Sequence, residues 1–206
     1  MLRLIAQCAR RYPTGMSYLL PFLFLIGCQE NGKQINPLSK SFFPNEIGNQ
    51  WVYSVYDSTK LTQYDVTITI TSTDFINNRK VNVWTIEYPG RTETNFVSVD
   101  NDTINFWGSD RITVEHTYLL PFSIGNRWTG SWIGDQYNII GQQSITVGGQ
   151  TFQNAYNIKE FATSPNFRRT KDEWFVPYLG MVKRYRFEYD FSLPDDKVWT
   201  LKSRKL

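Results

Sequence analysis

The chain has 206 residues, 41% of them apolar and 16% aromatic, and carries 22 Lys and Arg against 19 Asp and Glu. Three of the basic residues, Arg3, Arg10 and Arg11, precede position 28 and no acidic residue does, so residues 28–206 hold 19 of each sign and are formally neutral. That leaves no net basic field for nucleic acid, and one histidine with two cysteines gives no material for a His-rich or thiolate metal site or for a disulfide framework.

The N-terminus has the order of an export signal. The three arginines lead into an apolar run of eleven residues, Met16 to Ile26. A membrane-crossing helix needs about 20 apolar residues, and Pro21 interrupts this run, so a cleaved signal fits and a span does not. Leu25-Ile26-Gly27-Cys28 resembles the lipobox of bacterial lipoproteins. The resemblance implies cleavage between Gly27 and Cys28, a diacylglyceryl group on the Cys28 sulfur and a third acyl chain on its new amino group. One acyl chain holds a protein marginally to a bilayer, whereas two or more hold it stably. Residues 28–41 then comprise the lipidated cysteine and a polar tether containing Gly32 and Pro37. Thirteen residues reach at most about 45 Å when extended.

From residue 42 onward the pattern is strand. Val66, Ile68 and Ile70 alternate with Asp65, Thr67, Thr69 and Thr71. Ile112, Val114, His116 and Tyr118 alternate with Thr113, Glu115 and Thr117, and Tyr156 and Ile158 with Asn157 and Lys159. In Arg184 to Phe191, Tyr185, Phe187 and Tyr189 share one face, expected to be apolar and inward, and Arg184, Arg186, Glu188 and Asp190 share the other, expected to be wet. A period of two is what a sheet with one dry face requires. Asn77-Asn78, Pro89-Gly90, Asn101-Asp102, Gly148-Gly149 and Pro194-Asp195-Asp196 supply turn chemistry between the runs. The fold expected is all-β, an antiparallel sandwich or open curved half-barrel of nine or ten strands.

Residues 42–51 and 119–128 match, with Pro, Ile, Gly, Asn and Trp identical at the same spacing. The two copies centre on Pro44, Gly48, Asn49 and Trp51, and on Pro121, Gly125, Asn126 and Trp128. They divide the β domain, 42–206, into tandem repeats of about 42–118 and 119–206. Proline ends a preceding ladder, Gly-Asn makes a tight turn and Trp opens the next strand as a core anchor. The Pro-x-x-x-Gly-Asn-x-Trp motif resembles one found in uncharacterised bacterial envelope lipoproteins, where a later aromatic strand and Gly bend follow, as in Trp174 to Lys183 here. Leu179 departs from the Gly-x-Gly usual at that bend. The resemblance implies a β-rich clam-like or sandwich domain and carries no activity.

Catalytic sets are missing from the sequence. His116, the single histidine, falls on the apolar face of its strand and reads as structural. Asp100-Asn101-Asp102 lacks the Gly-bent loop and distal Glu of a calcium site and reads as a turn. Asp172 and Glu173 point to opposite faces, so they cannot pair as acid and base. The expectation is therefore a non-enzymatic lipoprotein of the cell envelope, on the outer membrane, held by acyl chains on Cys28. It has no cofactor, no metal and no nucleic-acid partner. An envelope protein, a lipid or a glycan would be its partner. The alternative is a carrier of a lipid or other hydrophobic ligand in a cleft lined by Tyr185, Phe187 and Tyr189, and behind that stands a glycan hydrolase with carboxylates paired across strands.

Overall fold

The computed structural model describes residues 42–100, 102–130, 135–164, 167–190 and 193–206. The signal, Gly27 and Cys28, the tether and Asn101 lie outside the described residues. Contacts divide the chain into two units, Met1–Gln34 and Ile35–Leu206, and the described residues belong to the second.

Twelve strands are present among the described residues. They are β1 (Gln50–Asp57), β2 (Thr62–Ile76), β3 (Arg79–Tyr88), β4 (Arg91–Val99), β5 (Thr103–Trp107), β6 (Val114–Leu119), β7 (Arg127–Thr129), β8 (Gln136–Val147), β9 (Gln150–Ser164), β10 (Phe167–Val176), β11 (Gly180–Asp190) and β12 (Leu193–Lys205). All join one antiparallel sheet in the order β6-β5-β4-β3-β2-β1-β12-β11-β10-β9-β8-β7. The sheet curves into a nearly closed barrel, so the all-β expectation holds in its barrel form. Each half of the chain is a six-stranded meander, and β1 pairs with β12 to join them, from Gln50 opposite Lys205 to Asp57 opposite Lys197.

The strands form because their side chains alternate. In β1, Trp51, Tyr53 and Val55 are buried while Val52 and Ser54 are only partly so. In β2, Val66 and Ile70 are fully buried. Asn77 and Asn78 both take positive φ and close the β2–β3 hairpin.

The two Pro-x-x-x-Gly-Asn-x-Trp segments build the same turn. Gly48 N–H donates to the Ile70 carbonyl, Asn49 N–H to Glu46 and Ile70 N–H back to Asn49. Gly125 N–H donates to Ile139, Asn126 N–H to Ser123 and Ile139 N–H back to Asn126. Gly48 and Gly125 sit at φ of +95° and +88°, where a Cβ is strained.

The core sits inside the barrel. Phe43 lies between Trp84 and Phe175, nearly parallel to both, with centroids 5.6 and 5.8 Å away. Trp51 stacks on Trp84 at 5.3 Å and donates its indole N–H to the Leu179 carbonyl at 2.8 Å. Trp128 donates to the Thr117 carbonyl of β6 at 2.7 Å. That bond spans the seam between the two edge strands, β6 and β7.

Antiparallel alternation places every second connection at the same end of the barrel. Residues 42–49, which lead into β1, therefore share one end with the β6–β7 turn (120–126) and the β10–β11 turn (177–179). Contacts agree, since Tyr178 N–H donates to the Phe42 carbonyl and the Phe42 ring meets Phe122 at 5.2 Å.

Candidate functional site

The inward face of β10 reads Phe175, Glu173, Lys171 and Arg169 from the tether end toward the other. The first belongs to the aromatic core and the other three are charged. Strand geometry allows this because residues two apart share a face. Neighbouring strands bring partners: Glu160 on β9, Arg184 on β11, Tyr118 and His116 on β6, Tyr137 on β8, and Asp135 just before β8.

These side chains make one continuous chain of alternating charge. Arg169 Nη2 lies 3.1 Å from both oxygens of Asp135, and Arg169 Nε lies 2.5 Å from Glu160. Lys171 Nζ bridges Glu160 at 2.6 Å and Glu173 at 4.0 Å. Arg184 closes the series with Nε and Nη2 at 2.8 and 2.7 Å from Glu173. Asp135, Glu160 and Glu173 are buried, at 1%, 4% and 1% exposure. Three carboxylates thus face three cations, and no net charge is left to desolvate. Removing one member would strand its partner, the expensive case for a buried ion.

The electrostatics follow. Burial alone would raise the carboxyl pKa of Glu173, but Arg184, Lys171 and the Tyr118 hydroxyl outweigh it and hold the group at about 2. Glu160 is likewise raised by burial and brought down to about 2 by Lys171, His116 and Arg169. Tyr118 donates a short hydrogen bond to Glu173, and burial together with that carboxylate pushes its phenol well above the usual value. Burial, followed by Lys171, drives His116 well below 6.5, so it is neutral.

His116 Nδ1 lies 3.0 Å from the Tyr137 hydroxyl oxygen, and the tautomer decides which of the two donates. Nε2 is buried and without a partner. Arg186 pairs with Glu188 through Nη2, and its Nε is also buried without a partner.

Between the aromatic and ionic layers lies a cavity of about 310 Å³. Phe43, Trp84, Phe106 and Phe175 contribute apolar wall, and His116, Glu160, Lys171, Glu173, Arg184 and Arg186 contribute polar wall. The volume is at the lower end of the range for small-molecule sites.

This arrangement corrects the cleft expected from β11. Tyr185, Phe187 and Tyr189 do not line the cavity, whereas Arg184 and Arg186 do. Alternation defines two faces without saying which is inside. A barrel lined by compensated charge reverses the usual assignment. The register shift opposite Trp174 and Phe175 adds Val182 to the ladder and sets the parity that turns Arg184 inward, opposite Glu173. Tyr185 and Phe187 are half-buried, and Tyr189 is exposed. His116 does lie on the inward face of its strand, but among charged partners. Glu173 is buried inside, while Asp172 pairs with Lys159 at 3.4 Å.

The motif residues occupy the end of the barrel at which residue 42 enters. Pro44, Trp51 and Gly180 line the cavity there, and Gly180 leaves its Cα 's missing Cβ position 3.4 Å from the Trp51 indole nitrogen. Asn49 is buried, whereas Pro121, Gly125 and Asn126 are exposed and Trp128 is half-buried. Sequence reasoning missed Asp135, Glu160, Arg169, Lys171 and Arg184 as a group. The available signal was the i, i+2, i+4 spacing of Arg169, Lys171 and Glu173 along one strand. Among the described residues no cluster of three His, Cys, Asp or Glu is placed to hold a metal, and no helix is long and apolar enough to cross a membrane.

No family model matches the chain, and no curated protein matches its sequence. Its fold is that of the YmcC-like proteins. It resembles the crystal structure of an exported protein with a YmcC-like fold from Bacteroides fragilis, at a TM-score of 0.50 and 10% identity, over 80% of this chain and 99% of that one. A lipoprotein structure from Parabacteroides distasonis aligns at a TM-score of 0.45 and 16% identity, over 80% of this chain and 98% of that one.

Proposed function

We propose that the chain is an exported lipoprotein of the cell envelope, held by acyl chains on Cys28, whose barrel binds a small amphiphilic molecule without transforming it. The observation that carries the binding role is the cavity. It has an aromatic wall, a charge-compensated polar wall and two buried polar atoms without partners, His116 Nε2 and Arg186 Nε. Buried polar atoms are normally satisfied, so a ligand that hydrogen-bonds the imidazole and accepts from the guanidinium would complete the site. The description of the Bacteroides fragilis protein as exported agrees with the signal-like N-terminus.

The ionic layer narrows the carrier alternative. A plain hydrocarbon would leave those two atoms bare, so the cargo needs a polar group as well as an apolar one. Hydrolysis of a glycan needs one carboxyl group that keeps its proton. Glu160 and Glu173, both held at about 2, are ionised. These two carboxylates therefore supply no general acid.

Two experiments test the reading. Native mass spectrometry of protein purified from host membranes is expected to show a small-molecule adduct, absent from His116→Trp, which fills the cavity. A wild-type mass with no adduct, and no gain in Tm on adding extracts of host lipids and metabolites, would count against binding. Metabolic labelling with a fatty-acid analogue, compared with Cys28→Ala, tests the anchor. Equal label on both proteins removes it.

A further inference from the structure

Four of the five residues shared by the two motif copies have a structural account. Proline ends the preceding segment, Gly48 and Gly125 take positive φ, the Asn49 and Asn126 carbonyls accept from the Ile70 and Ile139 N–H groups, and each Trp donates to a carbonyl of another segment. Ile47 and Ile124 have none. They are 59% and 64% exposed and make no contribution to the core. An apolar β-branched residue at the tip of a solvent-facing turn, twice, needs another explanation.

Their position supplies it. Both turns lie at the tether end of the barrel, and so does Tyr178, 55% exposed in the β10–β11 turn. Phe42, the first described residue, sits between Phe122 and Tyr178, with ring centroids 5.2 and 6.1 Å away. Residue 28 therefore joins the domain through residues 29–41 at the end where Ile47, Ile124 and Tyr178 project. Fully extended, those thirteen residues span at most about 45 Å, and any less extended path brings this end toward the bilayer.

We infer that the tether end of the barrel is a membrane-contact face, on which Ile47, Ile124 and Tyr178 seat against the lipid surface that holds the Cys28 acyl chains. The inference rests on the lipoprotein reading above. Aliphatic side chains and tyrosine are the residue types that partition into the interfacial layer. The contact is apolar in character. Exposed Arg79, Lys80, Arg127, Arg204 and Lys205 at this end outnumber exposed Glu46 and Asp102, so anionic headgroups would add to the apolar contact. The opposite end carries exposed Leu61 in the β1–β2 turn. Its distance from the Ile47 turn is the length of β1, about 25 Å.

The test uses the lipidated full chain in vesicles of phosphatidylethanolamine and phosphatidylglycerol. With Cys28 acylated and Cys8 removed with the signal, an introduced cysteine is the single free thiol. Ile47→Cys, Ile124→Cys and, as a control, Leu61→Cys are each labelled with an environment-sensitive fluorophore. They are then quenched either by doxyl lipid or by aqueous iodide. Labels at 47 and 124 should be quenched by doxyl lipid about threefold or more above the label at 61, with iodide showing the reverse order, because interfacial groups lie about 5–10 Å into the lipid boundary. Vesicle-bound protein whose three labels respond alike to iodide overturns the contact face while leaving the anchor standing. Labels at 47 and 124 shielded from both quenchers overturn it in favour of a protein partner. Release of the protein from the vesicles overturns the anchor and this inference with it.

Discussion

Glu173 and Arg184 face each other across the β10–β11 ladder inside the barrel, with the guanidinium Nη2 2.7 Å from Oε2. Among the described residues only Lys171, at 4.0 Å, offers Glu173 a second salt-bridge partner. Arg184→Met therefore leaves a buried carboxylate nearly unpaired and should cost about 3–5 kcal/mol. The double variant Glu173→Leu/Arg184→Met removes both charges and should recover most of that loss. Urea unfolding of the two variants checks it, and a single variant as stable as the double would contradict it.

Stability should fall in acid in two stages. The unfolded chain protonates His116 below 6.5 while the folded chain, whose imidazole is held well below that value, does not. Glu160 and Glu173 protonate below 4.5 when unfolded but stay ionised to about 2 when folded. In each case the unfolded state binds more protons, so acid favours unfolding. The slope should be about 1.4 kcal/mol per pH unit just below 6.5, and the two glutamates should add about twice that between 4.5 and 2. Urea midpoints measured from pH 8 to 3 test this, with a flat profile as the contrary result.

Gly48→Ala and Gly125→Ala should each cost about 1–2 kcal/mol through backbone strain alone. An added Cβ meets no atom within 4 Å at either position, while φ is +95° and +88°. The turns make matching hydrogen bonds, so the two losses should be similar and should add in the double variant. Thermal melts decide the point.

Trp51→Phe and Trp128→Phe each remove one indole N–H and leave a carbonyl, Leu179 or Thr117, without its donor. Trp51 is buried and should lose about 1–2 kcal/mol. Trp128 bridges β6 to β7, so its substitution should chiefly speed amide exchange in Val114–Leu119. Exchange mass spectrometry that finds β6 unchanged would contradict this.

Much of the fold was legible because alternation is a local signal. Val66 and Ile70 are buried as their spacing requires, and Asn77-Asn78 and Gly148-Gly149 do close hairpins. Strand number was harder to read. β7 spans only Arg127–Thr129, too short for any period to register. The site was the least legible part. Arg184 looks like the wet face of a strand until Glu173 is known to stand opposite, and Asp135 and Arg169, 34 positions apart, have no sequence relationship that announces their pairing. Charge compensation between strands is a tertiary property. Binary patterning treats each charged residue alone and assigns it to solvent.

The pairing of Gln50 with Lys205 sets the order in which the barrel can be completed. The first strand of the domain waits for the last, 155 positions away, before its outer edge is covered. A chain made N-terminus first must therefore present β1 as an open template until β12 is complete. Bare strand edges recruit other chains. Contacts of such long range are also slow to form. The vulnerable interval thus falls between the appearance of β1 and the arrival of the final thirteen-residue strand. Deletion of that strand alone should leave the β1 edge bare and promote aggregation.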